Sequence, residues 1–380
     1  MSKRFLITLI TLLVIGGVAS FAIFFAKGYT FSTSQKKIVG TGIITITSTP
    51  DAASVYIDGH LTTATNATIS SLPPKEYTAR VVKEGFIPWE RKVSVKEGLV
   101  TDLKITLFPA IPTIYPLTYN GVKNPVLSPD SGKLAYLVTS GKKSGIWVWT
   151  LTAQQPIAFA RGSEPHQIAQ NGSVSYAEAD LKWSPDSKQV LATVGNNNYL
   201  LDDNKLNLDP RDITPTLQAT LKGWDDDSKA KDSVRVLAVK NNQARKIASD
   251  SAMLRWAPDE TKYMYSENVK TQNSKLKTET PKEDESQTHF KIYDLETDTQ
   301  FDLPEAKLHF WLPDSRHVVL VDDGKISIVD FDGTNQAIIY AGKFEDNLVF
   351  AWPDSSRLVF ISSYQTPTAS EPNLFGINLK

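Results

Sequence analysis

One short phrase recurs along the C-terminal two-thirds of the chain and limits what that part can fold into. It stands as Leu127-Ser128-Pro129-Asp130, Trp183-Ser184-Pro185-Asp186, Trp256-Ala257-Pro258-Asp259, Trp311-Leu312-Pro313-Asp314 and Trp352-Pro353-Asp354. A degraded sixth copy reads Trp224-Asp225-Asp226-Asp227. The first residues are spaced by 56, 41, 32, 55 and 41, a mean of 45. A four-stranded propeller blade takes about 40–45 residues.

Apolar, β-rich stretches follow the copies at 133–138, 189–194, 234–239, 263–266, 317–321 and 357–361. Second runs stand at 145–151, 289–295 and 325–331. Each copy therefore reads as strand, turn, strand. Proline presets the turn, aspartate bonds back to its own main chain, and tryptophan plugs the gap between blades. The spacing predicts a propeller of about six blades over 113–380. Segment 113–119 is expected to pair with 373–379 and close the ring. These phrases resemble the once-per-blade turn of TolB-type propellers. Ser187, Thr261 and Ser315 stand where that family's glycine would be. The resemblance implies a fold only, since propellers host many unrelated activities. Residues 267–288 carry mixed charge and almost no large apolar side chains, and are expected to form a flexible insertion.

Upstream, period-two alternation starts at Gly42. Ile44 and Ile46 alternate with threonines, and Val55 and Ile57 with Tyr56 and Asp58. Further runs at 77–82, 92–95 and 100–107 are bounded by Thr49-Pro50-Asp51, Asp58-Gly59, Leu72-Pro73-Pro74, Glu84-Gly85 and Glu97-Gly98. The pattern predicts a small antiparallel β-sandwich over 42–108. It resembles a PEGA domain in Pro50-Asp51-Ala52-Ala53, Val55-Tyr56-Ile57-Asp58-Gly59, Leu72-Pro73-Pro74-Lys75-Glu76-Tyr77 and Gly85-Phe86. Ala52 and Glu76 replace two of the family's usual turn glycines. The resemblance implies an envelope-associated spacer or adhesive module, with no catalytic residue to carry over.

Residues 5–26 are uncharged, with only Thr8, Thr11 and Ser20 as polar interruptions. As a helix they reach roughly 33 Å, enough for a bilayer core. A cleaved signal peptide has a shorter apolar region, and cutting after Ser20-Phe21-Ala22 leaves Ile23-Phe24-Phe25 as the new start. The reading is an uncleaved single-pass anchor with residues 1–4 cytoplasmic, 27–41 a linker and the C-terminal bulk extracytoplasmic. Lys3 and Arg4 face Lys27, Lys36 and Lys37 across the run, so charge barely sets the orientation.

Composition narrows the chemistry. Forty-one basic and 42 acidic residues leave a net charge of -1, against the basic surface of a phosphate-gripping protein, so no nucleic acid is expected. The absence of cysteine removes disulfides, thiolate metal sites and cysteine nucleophiles. His60, His166, His289, His309 and His317 show no metal-ligand spacing. Ser140-Gly141-Lys142-Lys143 fits a common Ser-x-x-Lys pattern in a polar turn. Asp202-Asp203, Asp225-Asp226-Asp227 and Asp322-Asp323-Gly324 lack the calcium-loop order.

No catalytic, cofactor or metal residue is therefore assigned. Trp147 and Trp149 share a strand face outside the repeat and are the candidate ligand-binding residues. The chain reads as an all-β, membrane-anchored, non-catalytic envelope protein. It would present its propeller to an envelope protein or to the cell wall. Two alternatives stay open: a glycan or peptidoglycan binder, and an envelope hydrolase or lyase with its site in the propeller channel.

Overall fold

The computed structural model describes residues 3–26, 29–32, 37–139, 141–151, 164–266, 289–345, 348–363 and 371–380. Residues 1–111 and 112–379 form two compact units. In the first unit, helix α1 runs Lys3–Ala26. Its side chains are described over 7–23 and every one is exposed. Among the described residues no helix is long and apolar enough to cross a membrane. The segment read as a linker pairs as a hairpin, Tyr29–Ser32 with Lys37–Gly40.

Residues 42–106 build two facing sheets, ordered Ala67–Leu72, Gly42–Thr49, Val100–Thr106 and His60–Ala64, Ser54–Ile57, Glu76–Val82, Trp89–Ser94. Alternating Ile44, Ile46, Leu103 and Ile105 from one sheet meet Val55, Tyr77, Val81 and Trp89 from the other in one core. Asp58 and Gly59, at φ 48° and 81°, join Ile57 to its partner His60 as a two-residue turn. Positive φ at both positions is what the twist of a hairpin favours. Lys75 Nζ and the Thr78 N–H hold the Asp58 carboxylate at 2.7 and 2.9 Å, and keep its pKa below the usual range. The sandwich is not wholly antiparallel, because Gly42–Thr49 and Val100–Thr106 run parallel.

Among the described residues the second unit contains five four-stranded antiparallel sheets. They span 123–170, 180–212, 254–302, 308–341 and 349–378, the last completed by Ile114–Pro116. We number these blades 1 to 5. Apolar clusters join blade 1 to 2, 3 to 4 and 5 to 1. Closure follows the expected pairing, with Ile114, Tyr115 and Pro116 opposite Ile377, Gly376 and Phe375.

Among the described residues the blades thus number five, where six were expected. Trp224, expected to open a blade, lies inside helix α2, Leu217–Ala238, which also absorbs the strand expected over 234–239. Trp224-Asp225-Asp226-Asp227 has no proline to preset a turn, and Asp225 pairs with Lys229 one helical turn on, at 2.6 Å. A second helix, α3, runs Asn242–Asp250; Asn241 Oδ1 caps it by accepting from the N–H groups of Gln243 and Ala244. The five intact phrases all form turns. Their left-handed residue is Ser131, Ser187, Glu260, Ser315 and Ser355, with φ from 55° to 59°. In blade 3 that residue is Glu260, not its neighbour Thr261. The insertion expected over 267–288 lies outside the described residues.

Candidate functional site

The site is built where the ring closes. After Pro116 the chain crosses to blade 1 through Leu117–Val122, held along the start of the final strand. Leu117 N–H donates to Leu374 O at 2.8 Å, and Leu374 N–H to Thr118 Oγ1 at 2.9 Å. Asn373 Oδ1 accepts from Thr118 Oγ1 and from Gly121 N–H, at 3.1 and 3.2 Å. Gly121 sits at φ 74°, and the Glu371 carboxylate fills the space a Cβ would need. Only glycine fits both conditions.

This crossing forms one wall of a cavity of about 800 Å³, whose other walls include Tyr136, Trp147, Glu164 and Glu371. Trp147 lies on the strand Gly145–Thr150, directly opposite Tyr136 on Lys133–Val138. Its indole N–H donates to Lys143 O at 2.9 Å, so the ring is fixed and its polar edge satisfied. Tyr136 is buried, and desolvation pushes its phenol pKa well up, so it stays neutral. Tyr119, 75% exposed, stands at the mouth. Lys142, Lys143, Glu164 and Glu371 add both signs of charge. Flat rings beside mixed charges suit a ligand with apolar faces and polar edges.

The two candidate tryptophans share a strand face but not a role. Trp149 packs edge-on against Trp352, centroids 5.5 Å apart at 76°, in the apolar cluster between blades 5 and 1. Trp147 borders the same cluster and also lines the cavity. Sequence reasoning missed Tyr119 and Tyr136. Tyr119 sat in a segment read only as the closing strand, and Tyr136 inside an ordinary strand pattern.

The remaining candidates are engaged separately. His317 lies buried between Asp314 Oδ2 at 2.6 Å and Asp330 Oδ1 at 3.3 Å. Burial alone would lower its pKa; the two carboxylates outweigh that and raise it to about 9. His309 is fully buried, with Nε2 2.9 Å from Pro304 O. His166 contacts Asp203 O, His289 contacts Asp302, and His60 is exposed in its hairpin. Asp203 pairs with Lys133 at 2.6 Å, and Asp322 with Lys325 at 3.2 Å; Asp323 pairs with Lys307. Asp225, Asp226 and Asp227 lie on α2. Among the described residues no group of three or more histidine or acidic side chains is arranged to hold a metal ion. Ser140 lies outside the described residues.

Sheet order and cavity together define a mostly β protein of two modules, a β-sandwich and a propeller with five blades among the described residues and an aromatic-lined cavity at its closure. Residues 41–111 match the PEGA domain family, so the sandwich is a PEGA domain. TolB proteins are among the structural neighbours of the chain. TolB from Acinetobacter baumannii is 13% identical, over 81% of this chain and 61% of its own, with a TM-score of 0.24. A putative TolB from Agrobacterium tumefaciens is 16% identical, over 67% and 78%, with the same TM-score of 0.24. The chain thus spans about three-fifths of the Acinetobacter protein. At those scores the propeller architecture rests on the strand pairing alone. No curated protein sequence matches the chain.

Proposed function

We propose that the chain is a single-pass, membrane-anchored envelope protein without catalytic activity, whose propeller binds a protein or cell-wall partner outside the cytoplasmic membrane. The cavity at the ring closure carries this reading. It offers a fixed indole, an exposed tyrosine and charges of both signs. The PEGA domain and the uncharged run over 5–26 support the envelope setting and the anchor. In this reading helix α1 holds the chain and the sandwich acts as a spacer.

The test is co-sedimentation of the full chain, held in lipid nanodiscs, with purified envelope fragments before and after protease stripping. Pelleting that disappears on stripping supports a protein partner. Pelleting that survives favours the second reading, a glycan ligand stacked on Trp147. No pelleting with either preparation overturns both. Protease accessibility of the propeller in spheroplasts checks the orientation independently.

A further inference from the structure

Neighbouring blades are tied by a set of three links. The turn aspartate's N–H donates to the serine of the next blade, as Asp130 to Ser187 Oγ at 3.2 Å and Asp259 to Ser315 Oγ at 3.0 Å. The turn tryptophan donates its indole N–H to the preceding blade, as Trp183 to Val126 O and Trp311 to Arg255 O, both at 2.9 Å. A cation opening the second strand reaches the next blade. Lys133 Nζ donates to Ser187 O at 2.9 Å and pairs with Asp203 at 2.6 Å. Lys262 lies 4.9 Å from the Phe331 ring centroid. Junctions 1–2 and 3–4 have all three.

Junction 2–3 has none of them. Glu260 replaces the acceptor serine, exposed Gln189 replaces the cation, and the buried Nε1 of Trp256 has no hydrogen-bond partner. Helix α2 bridges the same gap instead. Lys231 Nζ donates to Pro185 O in the blade 2 turn at 3.1 Å. Arg235 Nε pairs with Glu260 in the blade 3 turn at 2.8 Å. The two cations are four residues apart, on one face of the helix.

The bridge is loosely seated. No residue of α2 is buried, and Val234 and Leu237 are 69% and 70% exposed. Its N-cap Thr216 makes no side-chain cap bond. By contrast α3 buries Ala244 and Ala248 against blade 3, where Tyr263 Oη donates to Ala244 O at 2.7 Å. Between α2 and the turns of blades 1 and 2 lies a cavity of about 570 Å³, with Trp183, Leu221 and Trp224 in its lining. A helix whose inner face, Leu217, Leu221, Trp224 and Val236, is only half-buried draws less stability from packing than one with a buried face. Such elements open locally at a free energy well below that of global unfolding.

We propose that α2 is a releasable clasp across the blade 2–blade 3 junction, and that the ring is built to open there. Release of Lys231 and Arg235 frees α2 to pivot on the anchored α3, uncovering the cavity and the Trp183 side of blade 2. Junctions 1–2 and 3–4, which carry the links, are expected to stay closed when this one opens.

Hydrogen exchange by mass spectrometry on the full chain tests this. Amides of 217–238 are expected to exchange by local opening, at least about a hundredfold faster than those of 189–194. K231A/R235A should speed exchange in α2, and in 180–183 and 254–256, by about tenfold. Strands 133–138 and 357–362 should stay unchanged. Alanine's higher helix propensity offsets the loss of the Arg235–Asp232 pair inside α2, so the faster exchange read in 180–183 and 254–256 reports the lost bridge. Q189K/E260S returns two missing links; serine already occupies the left-handed position in the other four blades. E260S by itself removes Arg235's partner, so the comparison is made with K231A/R235A present, where Q189K/E260S should slow exchange in 180–183 and 254–256. The proposal is overturned if α2 exchanges only with the blades. It also fails if K231A/R235A leaves exchange within about twofold of the parent.

Discussion

His317 Nδ1 stands 2.6 Å from Asp314 Oδ2, three residues back across the blade 4 turn, and the pair is buried. The same ring reaches Asp330 at 3.3 Å, so one imidazolium serves two carboxylates. Desolvation acts on Asp314 to raise its pKa, but the contact with His317 and the Arg316 N–H bond outweigh it and hold it low. The histidine is raised from 6.5 to about 9, worth roughly 3 kcal/mol of folded-state preference for the charged form. A folded pKa above the unfolded one adds stability that is complete below 6.5 and lost as pH rises through about 9. The propeller's melting temperature should therefore fall between pH 6.5 and 9. H317Q should be less stable than the parent at pH 6 and show no such decline. An unchanged slope in H317Q assigns the pH dependence elsewhere.

Ala52 offers a backbone test in the sandwich. It is exposed and sits at φ 53°, in the left-handed region where a Cβ is strained. That strain costs about 1–2 kcal/mol, against the 0.5–1 kcal/mol of extra entropy that glycine loses on folding. A52G should stabilise the PEGA domain by about 0.5–1 kcal/mol in calorimetry. The propeller transition should not move.

Much of this architecture was legible because each feature had a local physical cause. Proline and a short polar residue marked all five turns, and Ile44 and Ile46 showed the sandwich core by alternation. Strands His60–Ala64 and Ala67–Leu72 were invisible, because they are rich in alanine, serine and threonine and mostly exposed, so no apolar period marks them. Trp224 misled because identity was weighed over period. Leu217, Leu221, Trp224, Ser228, Lys231 and Arg235 recur at three and four, the spacing of a helix face. The cavity at the closure was half legible. Trp147 stood out as a tryptophan beyond the repeat, but its neighbours Tyr119 and Glu371 are 252 positions apart and meet only when the ring closes.

The closure itself rests on a close fit between Tyr115 and Gly376, paired across the final two strands. A Cβ at Gly376 would lie 2.8 Å from Tyr115 Cζ, so the ring of the tyrosine covers the glycine. The Arg357 guanidinium lies 5.8 Å from the Tyr115 ring centroid and 4.6 Å from that of Trp352. G376V should destabilise the propeller by about 2 kcal/mol or more, through overpacking at the seam. Deleting 113–119 should abolish its cooperative unfolding altogether. Calorimetry that still shows one sharp propeller transition in the deletion would remove the closing role of this strand.

Trp147 and Trp149 give the sharpest separation of packing from binding. Both border the apolar cluster between blades 5 and 1, but only Trp149 makes the edge-on contact with Trp352. Truncating a packed tryptophan costs about 3–5 kcal/mol, so W149A should lower the propeller's stability by about that much. W147A loses the indole bond to Lys143 O and part of its packing, and should cost less, about 1–2 kcal/mol. In the sedimentation assay the order reverses. Removing an aromatic anchor from a binding cavity typically costs 2 kcal/mol or more, so W147A should weaken retention by about thirtyfold. W149A, measured well below its melting temperature, should retain envelope fragments within about threefold of the parent. Equal losses in both variants would mean that retention follows propeller stability, and the cavity would lose its claim to be the binding site.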